Sequence, residues 1–582
     1  MQDKKMHGDK IQVFVTRSAM GGRGDDWARP ASRPAEPSTA ERKNQRPQSF
    51  CGRLRQHGSD YCEETSLHGV KYACREISWK RCYWILVLLG MAITAGWLIF
   101  NVIDNFINSP TLISIDTTEY PIHKVPFPAL TICNMNKINV NHIPPSQVEV
   151  FGRERFDAEE WLSRVTSILD MVYAGCTEGL CSSEQEEDEH LTNQEIKKVI
   201  QLTAPSCEEM MFKCSWRGTN YPCSELFETH QTDFGFCCLF NAVYNVSRED
   251  EIRYSGAGDT NGLTVMIDAR RYEYFMSNFL SVGFKLLVHG SHDEPEVGER
   301  GMAVPPGQEI FVAVGAEQTF TTKRAVEKFT PQKRNCFKED EVKLQFTDTP
   351  IYTLANCLIS HEAEELHKKC GCVACYMPGN GELCHENDMP CLHNYLERLS
   401  KDFELSTHFW DNCLPACDET KYWTELSSSQ FPSPELIRND AFTDTFQAIL
   451  ERICFAVDKN NFGEWDDMIQ PHCPMVTSGK TMELISTNAT LSANLYDMAV
   501  QYAQENMAKV HFYFKTNSAT RYKRDVVFTN DQLIANIGGL LGLFMGFSIV
   551  SVFELIYFFI LNHFKGDTKG TQSVTPVTKQ PG

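Results

Sequence analysis

The sequence lacks the motifs that mark common enzyme classes. It contains no G-x-S-x-G elbow, no H-E-x-x-H zinc motif and no Walker loop, so we expect no enzyme activity. Charge is absent from the apolar run 82–103, and the apolar run 533–561 holds one charged residue, Glu554. No earlier apolar stretch resembles a signal peptide, so the first run is expected to remain as a membrane anchor.

The charge distribution predicts which parts of the chain face the cytoplasm. Residues 1–81 hold 16 Lys+Arg against 10 Asp+Glu, and the segment 563–582 is also net basic, whereas the whole chain carries a net charge of −21. Basic flanks of membrane helices tend to stay in the cytoplasm. We therefore expect the acidic segment 105–531 to be extracellular.

Cysteines and glycosylation sequons agree with this topology. Nineteen of the 23 cysteines lie in the acidic segment, as do the sequons at Asn245 and Asn488. Disulfides and N-glycans are typical of extracellular domains. The prediction is a multi-pass plasma-membrane protein with spans at 82–104 and 532–562 and both termini in the cytoplasm.

The remaining segments divide into a polar N-terminus and a mixed ectodomain. Residues 1–66 are too polar to bury a core and are predicted to be a disordered cytoplasmic segment. Residues 67–81 then lead into the first span. Periodicity predicts an α+β ectodomain with strands at 262–275, 282–290 and 509–516, helices at 158–175 and 432–454, and a turn at 305–308.

The second apolar run has the composition of an ion pathway. Gly546-Phe547-Ser548 interrupts it, and Glu554 follows eight residues after Gly546. An acid inside a membrane costs on the order of 3 kcal/mol, so Glu554 is expected to face protein or water. Two alternatives are a helix-packing series formed by Gly538, Gly542 and Gly546, and an acid that lies near the lipid headgroups.

Four segments of the chain form a recognisable set in a fixed order. They are TSLHGV (65–70), FPALTICNMN (127–136), FGFCCLFNA (234–242) and IANIGGLLGLFMGFSIVSVFELIYF (534–558). Together they resemble the degenerin, epithelial sodium channel and acid-sensing channel superfamily, most closely its insect pickpocket branch. The resemblance implies a two-span α-helical membrane protein with a large disulfide-rich α+β ectodomain, folded like a clenched hand (palm, finger and thumb) and assembled as a trimer.

The resemblance also implies a function for particular residues. It implies a voltage-insensitive, amiloride-sensitive, sodium-permeable channel gated through its ectodomain. Gly546, Phe547 and Ser548 match the selectivity tract, with Phe547 larger than its usual counterpart, and Glu554 matches the pore acid. Ala535 matches a gating position that must stay small, and it is followed by Asn536. His68 and Gly69 match a cytoplasmic re-entrant loop with roles in gating and permeation.

The family pattern further implies a set of disulfides, each expected to add ~2–4 kcal/mol of stability. One further family pair is replaced by His361 and Asp411. Seven ectodomain cysteines remain, of which Cys207–Cys238 and Cys176–Cys181 are the suggested pairs and Cys375, Cys454 and Cys473 are unassigned. The implied disulfides are Cys133–Cys237, Cys214–Cys223, Cys336–Cys417, Cys357–Cys413, Cys370–Cys391 and Cys372–Cys384.

Ligands, partners and alternative functions complete the expectations. We assign no cofactor except Na⁺ as permeant ion and no metal site, because Cys370, Cys372 and Cys375 near His361 are better explained by disulfides than by zinc. The expected partners are related subunits in a homo- or heterotrimer and membrane lipid, with no nucleic acid. Force, protons, a peptide, a small ligand or constitutive opening all remain possible stimuli. The alternative functions are a non-conducting two-span lipid or adhesion receptor and an ATP-gated type of trimeric channel.

Overall fold

The computed structural model divides the chain into two compact units. One unit joins the residues up to Thr94 with those from Leu541 onwards, and the other is Ala95–Leu540. The structure describes residues 58–75, 79–108, 111–142, 161, 163, 165, 193–244, 251–277, 279–379, 381–384, 388–401, 412–439, 443–458 and 466–561.

Helices occur near both ends of the described chain and between the strands of the larger unit. The longer helices are α1 (Trp79–Asn108), α2 (Asn193–Thr203), α3 (Leu354–Cys370), α4 (Met389–Lys401), α5 (Thr443–Asp458), α6 (Ala489–Asn506), α7 (Asn530–Met545) and α8 (Ile549–Ile556). Shorter helices are Val70–Arg75, Cys207–Met210, Cys223–Leu226, Val297–Arg300, Lys323–Lys328, Pro331–Arg334, Asp466–Ile469, Cys473–Thr477 and Thr481–Thr487.

The strands of the described residues are distributed over three sheets of the larger unit. They are β1 (Thr111–Pro121), β2 (Ala129–Asn134), β3 (Ile138–Asn139), β4 (Met211–Trp216), β5 (Thr219–Tyr221), β6 (Phe227–Thr232), β7 (Gly235–Phe240), β8 (Leu263–Asp268), β9 (Tyr274–Met276), β10 (Phe284–His289), β11 (Met302–Val304), β12 (Gln308–Thr321), β13 (Glu419–Gln430), β14 (Met507–Phe514) and β15 (Ser518–Val526).

The largest sheet has eight strands in the order β1-β15-β12-β14-β8-β4-β5, with β13 paired to β12. Strand β12 pairs in parallel with both β14 and β15, and Ile310 lies opposite Val510. A second sheet has the order β11-β10-β2-β7-β6, and β3 pairs with β9. The mixed sheets and helices confirm an α+β fold for this part of the chain.

One apolar core contains side chains from both large sheets. Alternate residues of β14 are buried, as expected for a strand with one face in a core. Phe512 and Phe514 of β14 belong to the same buried cluster as Phe240 of β7 and Phe284 of β10. A second cluster packs α5 and α6 around Met266 of β8 and Met507 of β14. The eight-stranded sheet is therefore in contact with both cores.

The disulfides implied by the family pattern are all present in the structure. Cys336–Cys417 and Cys357–Cys413 connect segments 81 and 56 residues apart. Cys370–Cys391 and Cys372–Cys384 use two of the three cysteines considered for zinc, so the zinc interpretation of that motif is wrong. Further pairs are Cys133–Cys237, Cys214–Cys223, Cys207–Cys238 and Cys454–Cys473. Cys375 is a free thiol, and Cys176, Cys181 and Asp411 lie outside the described residues.

Several predicted boundaries differ from the structure. The helix predicted at 432–454 begins only at Thr443, because turns occupy 434–438. The strand predicted at 262–275 is divided into β8 and β9 by a 3₁₀ turn at Arg271–Glu273. Most of the helix predicted at 158–175 lies outside the described residues. Residues 58–64 are helical, although the disordered N-terminus was predicted to extend to residue 66.

The apolar runs form one long helix and one bent pair of helices. Helix α1 has 30 residues and is long and apolar enough to cross a membrane. Helix α7 and the segment Ile549–Ile560 meet at an angle of 68°. If this bent pair is counted as one span, it is a second candidate membrane span.

Candidate functional site

The break between α7 and α8 arises because Gly546 ends the first helix and Ser548 begins the second. The Gly546 N–H donates to the Gly542 carbonyl, and the Phe547 N–H donates to the Leu541 carbonyl. With Gly546 at φ +68, its bond to the Gly542 carbonyl is the αL type of helix end, which favours glycine. Ser548 then caps α8 in a reciprocal arrangement with Ser551. The Gly-Phe-Ser tract is thus an interruption of helical backbone.

Glu554 accepts hydrogen bonds from the segment that precedes α1. The Ser66 N–H and hydroxyl both reach Glu554 Oε2, at 3.2 and 3.1 Å. The Ser66 and Ser551 hydroxyls are 3.1 Å apart, and Ser551 is fully buried. A hydrogen bond to a charged acceptor contributes more than one between neutral groups. These contacts fix the carboxylate about one turn and a half beyond the break.

The His68-Gly69 turn contacts the break directly. The His68 N–H donates to the Met545 carbonyl at 3.0 Å, which satisfies one of the free carbonyls in the last turn of α7. The His68 ring approaches Gly546 so closely that a Cβ there would lie 2.7 Å from Cδ2. Gly69 itself has φ +78 and faces Leu88. Both glycines are therefore required by backbone conformation and by close approach.

Residues 58–75 form a closed loop around this turn. Cys62 and Cys74 are bonded, which joins the helical residues 58–64 to the helix Val70–Arg75. Tyr61 is buried against the rings of Phe558 and Phe559, at centroid distances of 5.7 and 5.6 Å. The pre-membrane segment thus begins before residue 67, where the sequence analysis placed its start.

Ala535 and Asn536 lie in the second turn of α7, and both are exposed in the isolated chain. Neighbouring Ile534 is 70% exposed. Large apolar side chains exposed on a helix mark a surface that lipid or another protein covers. The position is compatible with a helix–helix contact between subunits.

The structure describes one of the two predicted glycosylation sites. Asn488 is exposed and caps α6 by accepting from the Thr490 and Leu491 N–H groups. Its side-chain nitrogen remains available to a glycan in that geometry. Asn245 lies outside the described residues.

An acidic cavity of 1860 Å³ lies in the larger unit. Among its lining residues, Glu362 on α3 has its pKa raised to about 7 by burial and by the neighbouring Glu299, Glu296 and Asp233. Burial also raises the pKa of Asp233, although the Gly298 and Val297 N–H groups oppose this. Glu362 and Asp233 therefore change charge at a higher pH than ordinary acids do.

The sequence analysis missed Ser66, Ser551 and Tyr61. Ser551 was detectable, because it lies three residues from both Ser548 and Glu554 and so shares their helix face. Ser66 and Tyr61 had no such signal, since their partners lie almost 500 residues further along the chain.

The interrupted helix and its half-buried acid have the form of a cation pathway, and comparison with known proteins identifies the family. The model of the family described as "Amiloride-sensitive sodium channel" matches residues 61–558, so the chain belongs to that family, which is made up of ion channels.

Pickpocket protein 28 of Drosophila melanogaster is 27% identical over 86% of this chain and 77% of its own length. The sodium channel protein Nach of the same species is 22% identical over 88% of both chains. Acid-sensing ion channel 1 of Gallus gallus is 22% identical over 85% of this chain and 82% of its own length.

Proposed function

We propose that this protein is a subunit of a trimeric, voltage-insensitive, amiloride-sensitive, sodium-permeable channel in the plasma membrane, gated through its ectodomain. The observation that carries the proposal is the helix break at Gly546-Phe547-Ser548, followed by Glu554, in a chain of this family. Both termini are cytoplasmic in this proposal, and residues 105–531 are extracellular.

The break supplies the chemistry that cation conduction requires. Where a membrane helix is interrupted, backbone carbonyls without helical partners can replace part of a cation's hydration shell. Three chains around one axis would present three copies of Gly546-Phe547-Ser548. Three copies of Glu554 would form an anionic ring that concentrates cations near the tract.

The need for additional chains is supported by the surface of the single subunit. Leu543 and Ile549, on either side of the break, are 72% and 79% exposed. Lipid and neighbouring subunits together would cover such side chains. The proposal includes both homomers and heteromers with related subunits.

The test is expression in oocytes with Ala535 intact or replaced by Phe, recorded under voltage clamp in sodium and in potassium, with and without amiloride. Because a bulky side chain at a packed helix contact prevents closure, we expect a large amiloride-blocked sodium current from Ala535→Phe. The matched control is Ala535→Ser, which keeps the side chain at this position small and should leave the channel as the unmodified chain is.

The Ala535→Phe variant would contradict conduction if it reached the cell surface and carried no current, even when related subunits are co-expressed. That result would favour the non-conducting two-span receptor. The ATP-gated type is disfavoured by membership of a different family.

A further inference from the structure

Three potential metal ligands converge in the larger unit, and none of them belongs to the helix break. His230 lies on β6, Glu294 follows β10, and Asp348 precedes α3. One ligand atom from each residue lies within 4.8 Å of the others. Another such group in the described residues, Cys357, His361 and Cys413, is not comparable, because its two cysteines are bonded to each other.

Glu294 has a buried acceptor without a partner. The residue is 6% exposed, and its Oε2 lies 3.2 Å from His230 Nε2. Its Oε1 is buried and has no hydrogen-bond partner among the described residues. Leaving such an oxygen unsatisfied is costly, and a bound cation would remove that cost. The Glu294 N–H donates to Asn356 Oδ1 at 2.8 Å, so the backbone holds the carboxylate in place.

The surroundings favour a cation and allow one to enter. Asp293, Glu294 and Asp348 place three carboxylates on the wall of the acidic cavity. The Tyr244 ring stacks on His230 at 4.8 Å and so limits the orientations of the imidazole. The cavity, of 1860 Å³, also provides an entry path.

We infer that His230, Glu294 and Asp348 bind a zinc ion. An imidazole with two carboxylates suits Zn²⁺, whereas Ca²⁺ and Mg²⁺ prefer oxygen ligands alone. Bonds of ~2.0–2.2 Å require the three ligand atoms to move closer together. Asp348 is exposed and can move, while its Oδ1 accepts from the Gly379 N–H. Three protein ligands leave a fourth position for water or another donor.

Zinc at this position would connect three separate segments: strand β6, the loop after β10 and the loop before α3. A ligand that binds only the folded state stabilises it by mass action. The inference is independent of conduction, because its test measures metal binding. No local spacing motif links these residues, which explains why the sequence analysis assigned no metal.

The test uses full-length protein, purified in detergent and stripped of metal. Zinc stoichiometry and affinity are measured by competition with a chromophoric chelator, and Co²⁺ serves as a spectroscopic probe of the coordination geometry. We expect Asp348→Asn and His230→Gln each to remove one zinc equivalent per chain, or to weaken it by roughly 10-fold or more.

The matched controls are Asp259→Asn and His393→Gln, which replace exposed residues of the same types. Both controls should bind zinc as the unmodified protein does. Thermal unfolding with a chelator present should be the same for Asp348→Asn and the unmodified protein, because Asp348 is exposed. Unchanged zinc stoichiometry and affinity in both ligand variants would overturn the assignment, as would equal displacement by Ca²⁺.

Discussion

The pair of segments 58–75 and 541–561 is held together differently from the sheets of residues 111–526. The former relies on hydrogen bonds such as Ser66 to Glu554 and on ring contacts of Tyr61. Residues 111–526 contain two apolar cores, to which sheets and helices contribute, and eight disulfides among the described residues. Stability is thus concentrated in the sheets and the helices packed on them, whereas the break depends on a few specific contacts and on surroundings that cover its apolar surface.

Disulfide removal should have the largest effect, and that effect should be on stability. Replacing both Cys336 and Cys417 by Ser opens a ring of about 25 residues, because the nested Cys357–Cys413 bond still bridges 56 of the 81 residues, and the chain-entropy model predicts a cost of about 3.5 kcal/mol. The same change at Cys214 and Cys223, nine residues apart, should cost about 2.5 kcal/mol. Thermal unfolding of purified protein measures both, and equal or reversed costs would contradict a chain-entropy origin.

Replacement of Gly546 by Ala should have the next largest effect. A positive φ costs a residue with Cβ about 1–2 kcal/mol, and the His68 ring must also move. The variant is measured in the Ala535→Phe background, which is expected to conduct. There we expect at least roughly 100-fold less sodium current at unchanged surface expression, which corresponds to about 3 kcal/mol in a gating or permeation equilibrium.

The control for this variant is Gly538→Ala in the same background. A Cβ at Gly538 meets nothing within 4 Å in the described chain. Its current should be retained. Equal currents from the two variants would show that the left-handed conformation at Gly546 is dispensable.

The Ser66–Glu554 contact should have an intermediate effect. Removing a hydrogen bond to a charged group costs about 1.5–3 kcal/mol, so Ser66→Ala should change the half-activation or the current about 10-fold. A double-mutant cycle with Glu554→Gln measures the coupling, and Ser59→Ala, on the adjoining helical residues, is the control. Strict additivity would mean that the two groups do not interact in the working channel.

The smallest effect should be the acid sensitivity of one ion pair in the sheet. The hydrogen bond from His511, at 2.9 Å, lowers the pKa of Glu309 to about 2, against the effect of burial and with help from Lys509. Because the folded-state pKa lies below the unfolded value of 4.5, this stabilisation is complete above pH 4.5 and disappears as pH falls towards 2.

Glu309→Gln should therefore lose on the order of 1 kcal/mol at pH 7, and its difference from the unmodified protein should vanish near pH 2. Unfolding curves at several pH values measure this. Glu317→Gln, on the same strand, is the control and should show no such dependence. A constant difference across the pH range would rule out the ionised pair as the cause.

Sequence patterns predicted β10 and β14 well. Strand β14 alternates over most of its length, whereas β10 is buried on both faces and was recognised by its apolar, strand-favouring residues. It misplaced the start of α5 and merged β8 with β9, since turns such as the 3₁₀ segment Arg271–Glu273 interrupt an apolar pattern without changing it. The disulfide pairs were predictable only through the family resemblance, because spacing alone leaves many connectivities open.

Within the candidate site, the sequence by itself determined the break, since a glycine that ends a helix and a serine that begins the next are local signals. It also placed a single acid, Glu554, in an apolar run. Only the tertiary structure decided that Ser66 and His68 contact that break and that His230, Glu294 and Asp348 meet. Such contacts join residues far apart in the chain, and their geometry depends on how every intervening element packs.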